Sequence, residues 1–182
     1  MKRRLLLLLS LFFVSCVPMW IKTRQYAGDG TLRACSNILA QGFAIDFSPF
    51  DARKPYIASY RLSHVPQVGR NPFVRLCFHP KPGSQPWYPG IDDDLKKKLT
   101  ATLKVTLLDA RGTAVRSLEM PIATATWTWG ESQGLIGAYD FAHGSFPFAP
   151  AQDYTLAVSY TPGSVPPATD SAYVQLEACA YY

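Results

Sequence analysis

The stretch Gly130-Glu131-Ser132-Gln133-Gly134 has residue types and a spacing that could support covalent chemistry. The pattern G-x-S-x-G presents a nucleophilic serine when a strand ends in a strained turn that leads straight into a helix. Residues 133–144, which would have to form that helix, contain three glycines. Each glycine destabilises a helix interior by up to about 1 kcal/mol relative to alanine. We therefore predict a glycine-flanked loop that closes a strand, with no nucleophile at Ser132.

The residues that could assist Ser132 point the same way. Asp140 and His143 alone supply an acid followed by a histidine in the order that this motif requires. They lie in one short segment, whereas the fold that uses the motif draws them from separate loops of a large parallel sheet. The chain also lacks the alternating strand and helix pattern of such a sheet. We expect a protein without enzymatic activity, and a small serine hydrolase using Ser132 stays an alternative.

The N-terminus has the features of an export signal. Lys2, Arg3 and Arg4 form a positive region, and residues 5–14 form an apolar region of signal-peptide length. The next stretch, Phe13-Val14-Ser15-Cys16, resembles a bacterial lipobox, in which an apolar residue and two small residues precede a cysteine. Phe13 stands where leucine is usual. By this resemblance the signal is cleaved after residue 15 and Cys16 carries the lipid.

Two other interpretations of the N-terminus compete with lipidation. The first is an ordinary secretory signal. The second is an uncleaved anchor, because residues 5–21 are mostly apolar and approach the length of about 20 residues that spans a bilayer. Pro18 and the position of Cys16 count against the anchor. Val17, rather than an aspartate, follows the cysteine and favours the outer membrane by resemblance to the sorting rule of enteric bacteria.

Cleavage would divide the chain into a signal peptide (residues 1–15), a lipidated tether (residues 16–41) and one domain (residues 42–182). It also changes the charge of the protein. The whole chain has 18 basic and 13 acidic residues and a formal net charge of +5. Lys2, Arg3 and Arg4 leave with the signal, so the balance falls to +2. A charge this small does not favour a nucleic-acid partner.

Cysteine usage agrees with an exported protein. Cys35, Cys77 and Cys179 remain beside Cys16, which allows one disulfide and one spare thiol. Cys77 and Cys179 each lie on the polar face of a predicted strand, and neighbouring strands could bring them together. We therefore expect a disulfide between Cys77 and Cys179, with pairings through Cys35 as alternatives. No C-x-x-C or His/Cys cluster is present, so we expect neither a zinc site nor another cofactor.

Beyond the tether, apolar and polar residues alternate in short runs that proline and glycine separate. The runs lie at residues 43–47, 56–62, 73–79, 99–107, 113–120, 125–129, 154–160 and 172–181. Residues 109–112 form the turn of a hairpin between two of them. Such a pattern predicts an all-β fold, an antiparallel β-sandwich of about eight strands. Asp153 and Tyr154 open a strand in a way that resembles the tyrosine corner of immunoglobulin-like sandwiches, and by this resemblance we expect an immunoglobulin-like sandwich.

One short segment, residues 91–99, has the pattern of a helical turn. Asp92, Asp93 and Asp94 lie at its start and lysines at its end, which suits the helix dipole, and Asp92 can cap it. The three aspartates could also bind calcium. Calcium takes six to eight oxygen ligands, however, and three consecutive carboxylates need help from another loop to supply them. The pattern favours a solvated helical turn.

Two pairs of large aromatic residues have different expected roles. Trp87 and Tyr88 lie in a proline-rich loop, where they could stack on a sugar, contact a protein or pack onto their own sandwich. Trp127 and Trp129 share one strand face, and we expect them to fill the core.

The lipobox, the strand and turn at residues 103–112 and the strand at residues 154–163 together resemble small uncharacterised lipoproteins of Gram-negative bacteria with a sandwich domain. Some proteins of that kind are immunity proteins that protect the cell from a toxin in the periplasm. The resemblance implies a lipid-anchored, periplasm-facing interaction protein whose partner is another protein. A carbohydrate-binding module is the alternative from another class.

Overall fold

The computed structural model describes residues 25–35, 42–81, 83, 93–130, 135–139 and 144–179. These residues form ten strands, one five-residue α-helix and one 3-10 turn. In chain order the elements are β1 (Thr31–Ala34), β2 (Phe43–Asp46), β3 (Tyr56–Ser63), β4 (Phe73–Pro80), α1 (Asp93–Lys97), β5 (Thr102–Asp109), β6 (Ala114–Pro121), the 3-10 turn (Ile122–Thr124), β7 (Thr126–Gly130), β8 (Leu135–Tyr139), β9 (Asp153–Thr161) and β10 (Thr169–Glu177).

The strands form two sheets. The larger has six strands in the order β1-β2-β10-β4-β8-β7, and the smaller has four in the order β3-β9-β5-β6. Every neighbouring pair is antiparallel. The prediction of an all-β antiparallel sandwich is confirmed, and α1 confirms the short helical turn.

The order of the strands is that of a jelly roll. Four strand pairs nest as they would in one long folded hairpin: β2 with β10, β3 with β9, β4 with β8, and β5 with β6. This hairpin is rolled so that β10 also pairs with β4 and β9 also pairs with β5. This is a jelly-roll order, with two Greek keys. It differs from the immunoglobulin order, in which strands ABED face CFG. Strands β1 and β7 extend the larger sheet at its two edges.

The core lies between the two sheets because apolar residues alternate along each strand. On β5, Leu103, Val105 and Leu107 are fully buried, while the residues between them face away from the core. Tyr160 is also buried there, and its hydroxyl donates a hydrogen bond of 2.8 Å to the Ala52 carbonyl. Trp127 packs against this core, as predicted. The side chain of Trp129 lies outside the described residues.

The tyrosine-corner hydrogen bond forms at the start of β9. The backbone N–H of Ala149 donates to the hydroxyl oxygen of Tyr154 at 2.9 Å, and that hydroxyl donates to Oε1 of Gln152 at 3.1 Å. The ring of Tyr154 meets Phe148 edge to face, with centroids 5.1 Å apart. One aromatic side chain therefore fastens the loop before β9 to the strand that follows it.

The folded unit begins earlier than residue 42, which the sequence suggested as its start. Residues 27–29, called here the N-terminal arm, pair with the end of β3: Ala27 N–H donates to Ser63 C=O at 3.1 Å, and Asp29 N–H to Arg61 C=O at 2.7 Å. Gly30, at a φ of 87°, then turns the chain towards β1 in the larger sheet. A Cβ at this glycine would lie 2.9 Å from the carbonyl oxygen of Asp46. Part of the predicted tether therefore belongs to the sandwich.

Candidate interaction surfaces

The connection that contains Ser132 joins two paired strands. Residues 131–134 lie outside the described residues, as do Asp140 and His143. On either side of that connection, Gly130 of β7 stands opposite Leu135 of β8 in an antiparallel pair. A nucleophile elbow needs a helix directly after its serine. Strand β8 occupies that place, which supports the interpretation of a loop between strands.

Several predicted site residues lie outside the described residues, namely Cys16, Trp87, Tyr88 and Asp92. Lipidation, the loop contact and the calcium alternative therefore stay predictions. Asp93 begins α1, and Asp94 pairs with Lys97 at 3.1 Å in a solvent-exposed ion pair. Among the described residues, no group of three or more His, Cys, Asp or Glu side chains is placed to hold a metal ion. In those same ranges, no helix has the length and apolar character that a membrane span requires.

The disulfide joins Cys35 to Cys179, with their Cα atoms 5.7 Å apart, and Cys77 is a buried free thiol. The prediction of a Cys77–Cys179 bridge is therefore wrong. Its assumption that β4 and β10 are neighbours is correct, but the register places Cys77 opposite Tyr173. The last residue of β10 that pairs with β4 is Glu177, so Cys179 lies well beyond Cys77 along the strand.

Strand β2 explains why Cys35 is the partner. Because β2 lies between β1 and β10, Cys35 and Cys179 approach its first residues from opposite sides. Cys35 N–H donates to Gly42 C=O at 3.2 Å, and Ala178 N–H donates to Phe43 C=O at 2.9 Å. A Cβ on Gly42 would lie 2.8 Å from Sγ of Cys35 and 2.6 Å from the Ala178 carbonyl. The bridge passes close to a residue that has no side chain to obstruct it.

The outer face of the larger sheet carries a polar cluster that is buried except near Arg33 and Asp46. Gln175 on β10 donates from Nε2 to Oδ1 of Asp46 at 2.6 Å, and Arg33 donates from Nε to Oδ2 of the same carboxylate at 2.7 Å. On the other side of β10, Arg75 and Glu177 form an ion pair of 2.9 Å. Their side chains are 11% and 6% exposed, so most of this pair is removed from water. The polar cluster comprises Arg33, Asp46, Arg75, Cys77, Tyr173, Gln175 and Glu177.

Charges in the polar cluster compensate one another. Burial would lower the pKa of Arg33, but its hydrogen bond to Asp46 and the charge of that carboxylate hold the pKa above its usual value. Burial raises the pKa of the Cys77 thiol to about 12, and the charge of Arg75 offsets this only in part. Burial, followed by the neighbouring Cys77, also raises the pKa of Tyr173. A thiol with so high a pKa is protonated at neutral pH and is a poor nucleophile. This cluster has the character of a structural layer.

The outer face of the smaller sheet has the opposite character, because it is open to solvent. Along these strands, short side chains, most of which carry a hydroxyl group, alternate with the buried core residues. We call the surface that they form the hydroxyl face. Its members are Ser59, Thr102, Thr106, Ser117, Thr155, Ala157 and Ser159. Oγ1 of Thr106 and Oγ of Ser117 hydrogen-bond across the strands at 3.0 Å. Lys104 and Glu119 form an exposed ion pair of 3.8 Å on the same face.

Ile57 is the most exposed large apolar residue among those described, with 83% of its surface in solvent. It lies on β3, the edge strand next to β9, and stands opposite Ser159 of the hydroxyl face. Val115, on the opposite edge strand β6, is the other exposed large apolar residue and is 43% exposed. Ile57 was not among the site residues predicted from the sequence. The side chains of Tyr56, Ala58 and Tyr60 face the core, so the alternation along β3 places Ile57 on the opposite, outer side of the strand.

No family model matches the chain, and neither a curated protein nor a solved structure is significantly similar to it.

Proposed function

We propose that this protein is a non-enzymatic interaction protein, anchored by a lipid on Cys16 to the outer membrane and facing the periplasm, which binds a protein partner through its hydroxyl face. One observation carries the proposal: the two outer faces of the sandwich differ. Gln175 and Tyr173 are buried on the larger sheet, whereas Ile57 is 83% exposed beside the hydroxyl face. We take the more open of the two faces, with Ile57 at its edge, as the surface that contacts the partner.

The disulfide supports the proposed compartment. Bridges such as Cys35–Cys179 form and persist in oxidising environments, of which the bacterial periplasm is one. Within this function, an immunity-type inhibitor of a periplasmic toxin is the most specific form. Short side chains let a partner approach the sheet closely, and Lys104 and Glu119 add one charge of each sign to the same face.

The binding surface is tested by placing bulk and charge on it. Thr106→Arg and Ser159→Arg put a long cation on the hydroxyl face, and Ala110→Arg puts the same side chain on the exposed turn between β5 and β6 as the matched control. We expect cross-linking in the native envelope to capture one partner protein with the wild type and with Ala110→Arg. Thr106→Arg and Ser159→Arg should capture far less of that partner. Equal capture by all four proteins would contradict the proposed surface. Capture lost only in Trp87→Ala or Tyr88→Ala, with elution by sugar, would instead assign a carbohydrate-binding module.

The anchor is tested separately. Globomycin blocks cleavage of lipoprotein signals, so it should make the precursor accumulate if Cys16 is lipidated. Cys16→Ser should leave the protein unprocessed or release it from membranes. Normal processing of Cys16→Ser without loss of lipid labelling would refute the lipid anchor and leave the surface proposal intact.

A further inference from the structure

Strand β3 is an edge of the smaller sheet, and part of its backbone faces no other strand. In an antiparallel pair, successive residues direct their backbone groups alternately towards the partner strand and away from it. Arg61 and Ser63 direct their backbone groups away from β9, because their carbonyl oxygens accept hydrogen bonds from the N-terminal arm. By the same alternation, Ile57 and Ser59 direct one N–H and one C=O each to the open side. No backbone group of the described residues pairs with those of Ile57 and Ser59 on that side.

This open edge is bounded at both ends. Pro55 precedes β3 and has no N–H to donate. At the other end, the N-terminal arm already occupies Arg61 and Ser63, and Oδ2 of Asp29 accepts from Arg61 N–H at 2.6 Å. Between these limits β3 carries no charged residue, whereas exposed edge strands are commonly protected by charges or bulges. Ile57 instead presents an apolar side chain to solvent.

We propose that the Ile57–Ser59 edge accepts an extended segment of a partner protein, which adds to the smaller sheet as a fifth strand antiparallel to β3. Binding by strand addition takes its affinity from backbone hydrogen bonds and its specificity from alternate side chains. The partner segment places an apolar residue opposite Ile57 and a small residue opposite Ser59. This inference rests on the proposed function only in taking the partner to be a protein.

The N-terminal arm argues for this occupant. It shows that an extended segment docks on the same edge, in antiparallel register and with regular backbone hydrogen bonds. It also obstructs a symmetric pair of two copies centred on Ala58. If two β3 strands paired about Ala58, Pro55 of one copy would stand opposite Arg61 of the other. Asp29 already occupies that place. A short segment of a different chain fits the window between Pro55 and Arg61.

The test uses phage-displayed random short peptides as the probe and the full-length chain as the target. Two variants alter the edge: Ile57→Lys places a charge on it, and Ser59→Pro removes one open N–H without disturbing the bonds to β9. Val115→Lys makes the same change at the opposite edge of the sheet and is the matched control. Selected peptides are also synthesised with alternate backbone nitrogens methylated, which removes their donors.

We expect the selected peptides to alternate apolar and small residues and to slow amide hydrogen exchange at Ile57 and Ser59. Both Ile57→Lys and Ser59→Pro should weaken their binding by at least about tenfold, as should N-methylation, whereas Val115→Lys should not. The inference is overturned if no peptide is selected, or if the peptides bind Ile57→Lys as well as the wild type. Protection of the edge that depends on protein concentration without peptide would assign it to a second copy and also overturn the inference. In either case, loss of envelope capture by Ser159→Arg would still uphold the proposed function.

Discussion

Cys35 and Cys179 form a disulfide across β2, although 144 residues separate them in the chain and their strands are not neighbours. The bridge ties the strand that follows the N-terminal arm to the end of β10. It therefore closes almost the whole sandwich into one covalent loop.

Removing this bridge should destabilise the protein strongly. In the chain-entropy description, a loop of this length contributes about 5 kcal/mol, and native disulfides of small domains contribute about 2–5 kcal/mol. We expect Cys35→Ser with Cys179→Ser to lower the free energy of unfolding by an amount in that range, measured by denaturant titration. Cys77→Ala is the control, because it should keep the wild-type response to reductant. A wild type whose stability does not change on reduction would contradict this prediction.

Breaking the buried ion pair on the larger sheet should destabilise the fold. Glu177→Leu removes the carboxylate that pairs with the nearly buried guanidinium of Arg75, and breaking a buried pair from one side costs about 3–5 kcal/mol. Replacing both residues, as Arg75→Met with Glu177→Leu, should restore most of that stability. The exposed pair provides the comparison: Glu119→Gln should cost less than about 1 kcal/mol. Equal losses from Glu177→Leu and Glu119→Gln in thermal or urea unfolding would refute this account of the polar cluster.

The hydroxyl of Tyr154 should stabilise the start of β9. Tyr154→Phe keeps the ring against Phe148 but removes the acceptor for Ala149 N–H. Because this hydrogen bond is part-buried, its loss should cost about 0.5–1.5 kcal/mol of stability, with faster amide exchange at Ala149. Tyr56→Phe, which alters a partly buried pair of hydroxyls, is a matched control and should leave exchange at Ala149 unchanged. Unchanged exchange at Ala149 in Tyr154→Phe would show that this hydrogen bond does not hold the loop.

Alkaline pH should lower the free energy of unfolding, and Cys77 is the first group to contribute as the pH rises. Burial raises the pKa of this thiol from 9.0 to about 12, so the unfolded chain ionises first as pH rises. The stabilisation is complete below pH 9 and is lost between pH 9 and 12. A single group of this kind lowers the free energy of unfolding by about 1.4 kcal/mol per pH unit within that window. Tyr160, whose pKa burial raises from 10.0 to about 12, adds to the effect above pH 10.

The measurement is the free energy of unfolding at several pH values from 8 upwards. Cys77→Ser removes the thiol but keeps a group of similar size, so the decline between pH 9 and 10 should be shallower than in the wild type. The difference between the two slopes should persist to about pH 12, above which Cys77 is ionised in both the folded and the unfolded state. Identical slopes across the whole range would show that Cys77 ionises equally in the folded and unfolded states.

The sequence by itself determined the strands whose side chains alternate clearly. Strands β3, β5, β6 and β9 were predicted within about three residues of their observed ends, because a half-buried strand must alternate apolar and polar residues. Local chemistry also determined the helical turn α1, whereas the partners of the Tyr154 hydroxyl came from the structure. Strands β1 and β8 were missed. The first lies in the segment that was assigned to the tether, and the second follows a glycine-rich stretch and contains Gly137.

Only the tertiary structure decided which strands are neighbours and which surfaces stay open. Alternation places a residue on a face of its strand, but the neighbour across that strand comes from a distant part of the chain. The rolled order puts β2 between β1 and β10, and Cys179 therefore forms its disulfide with Cys35 and not with Cys77. The same order places β3 at an edge and exposes Ile57. Register and sheet order depend on packing the whole core at once, and no short window of sequence contains that information.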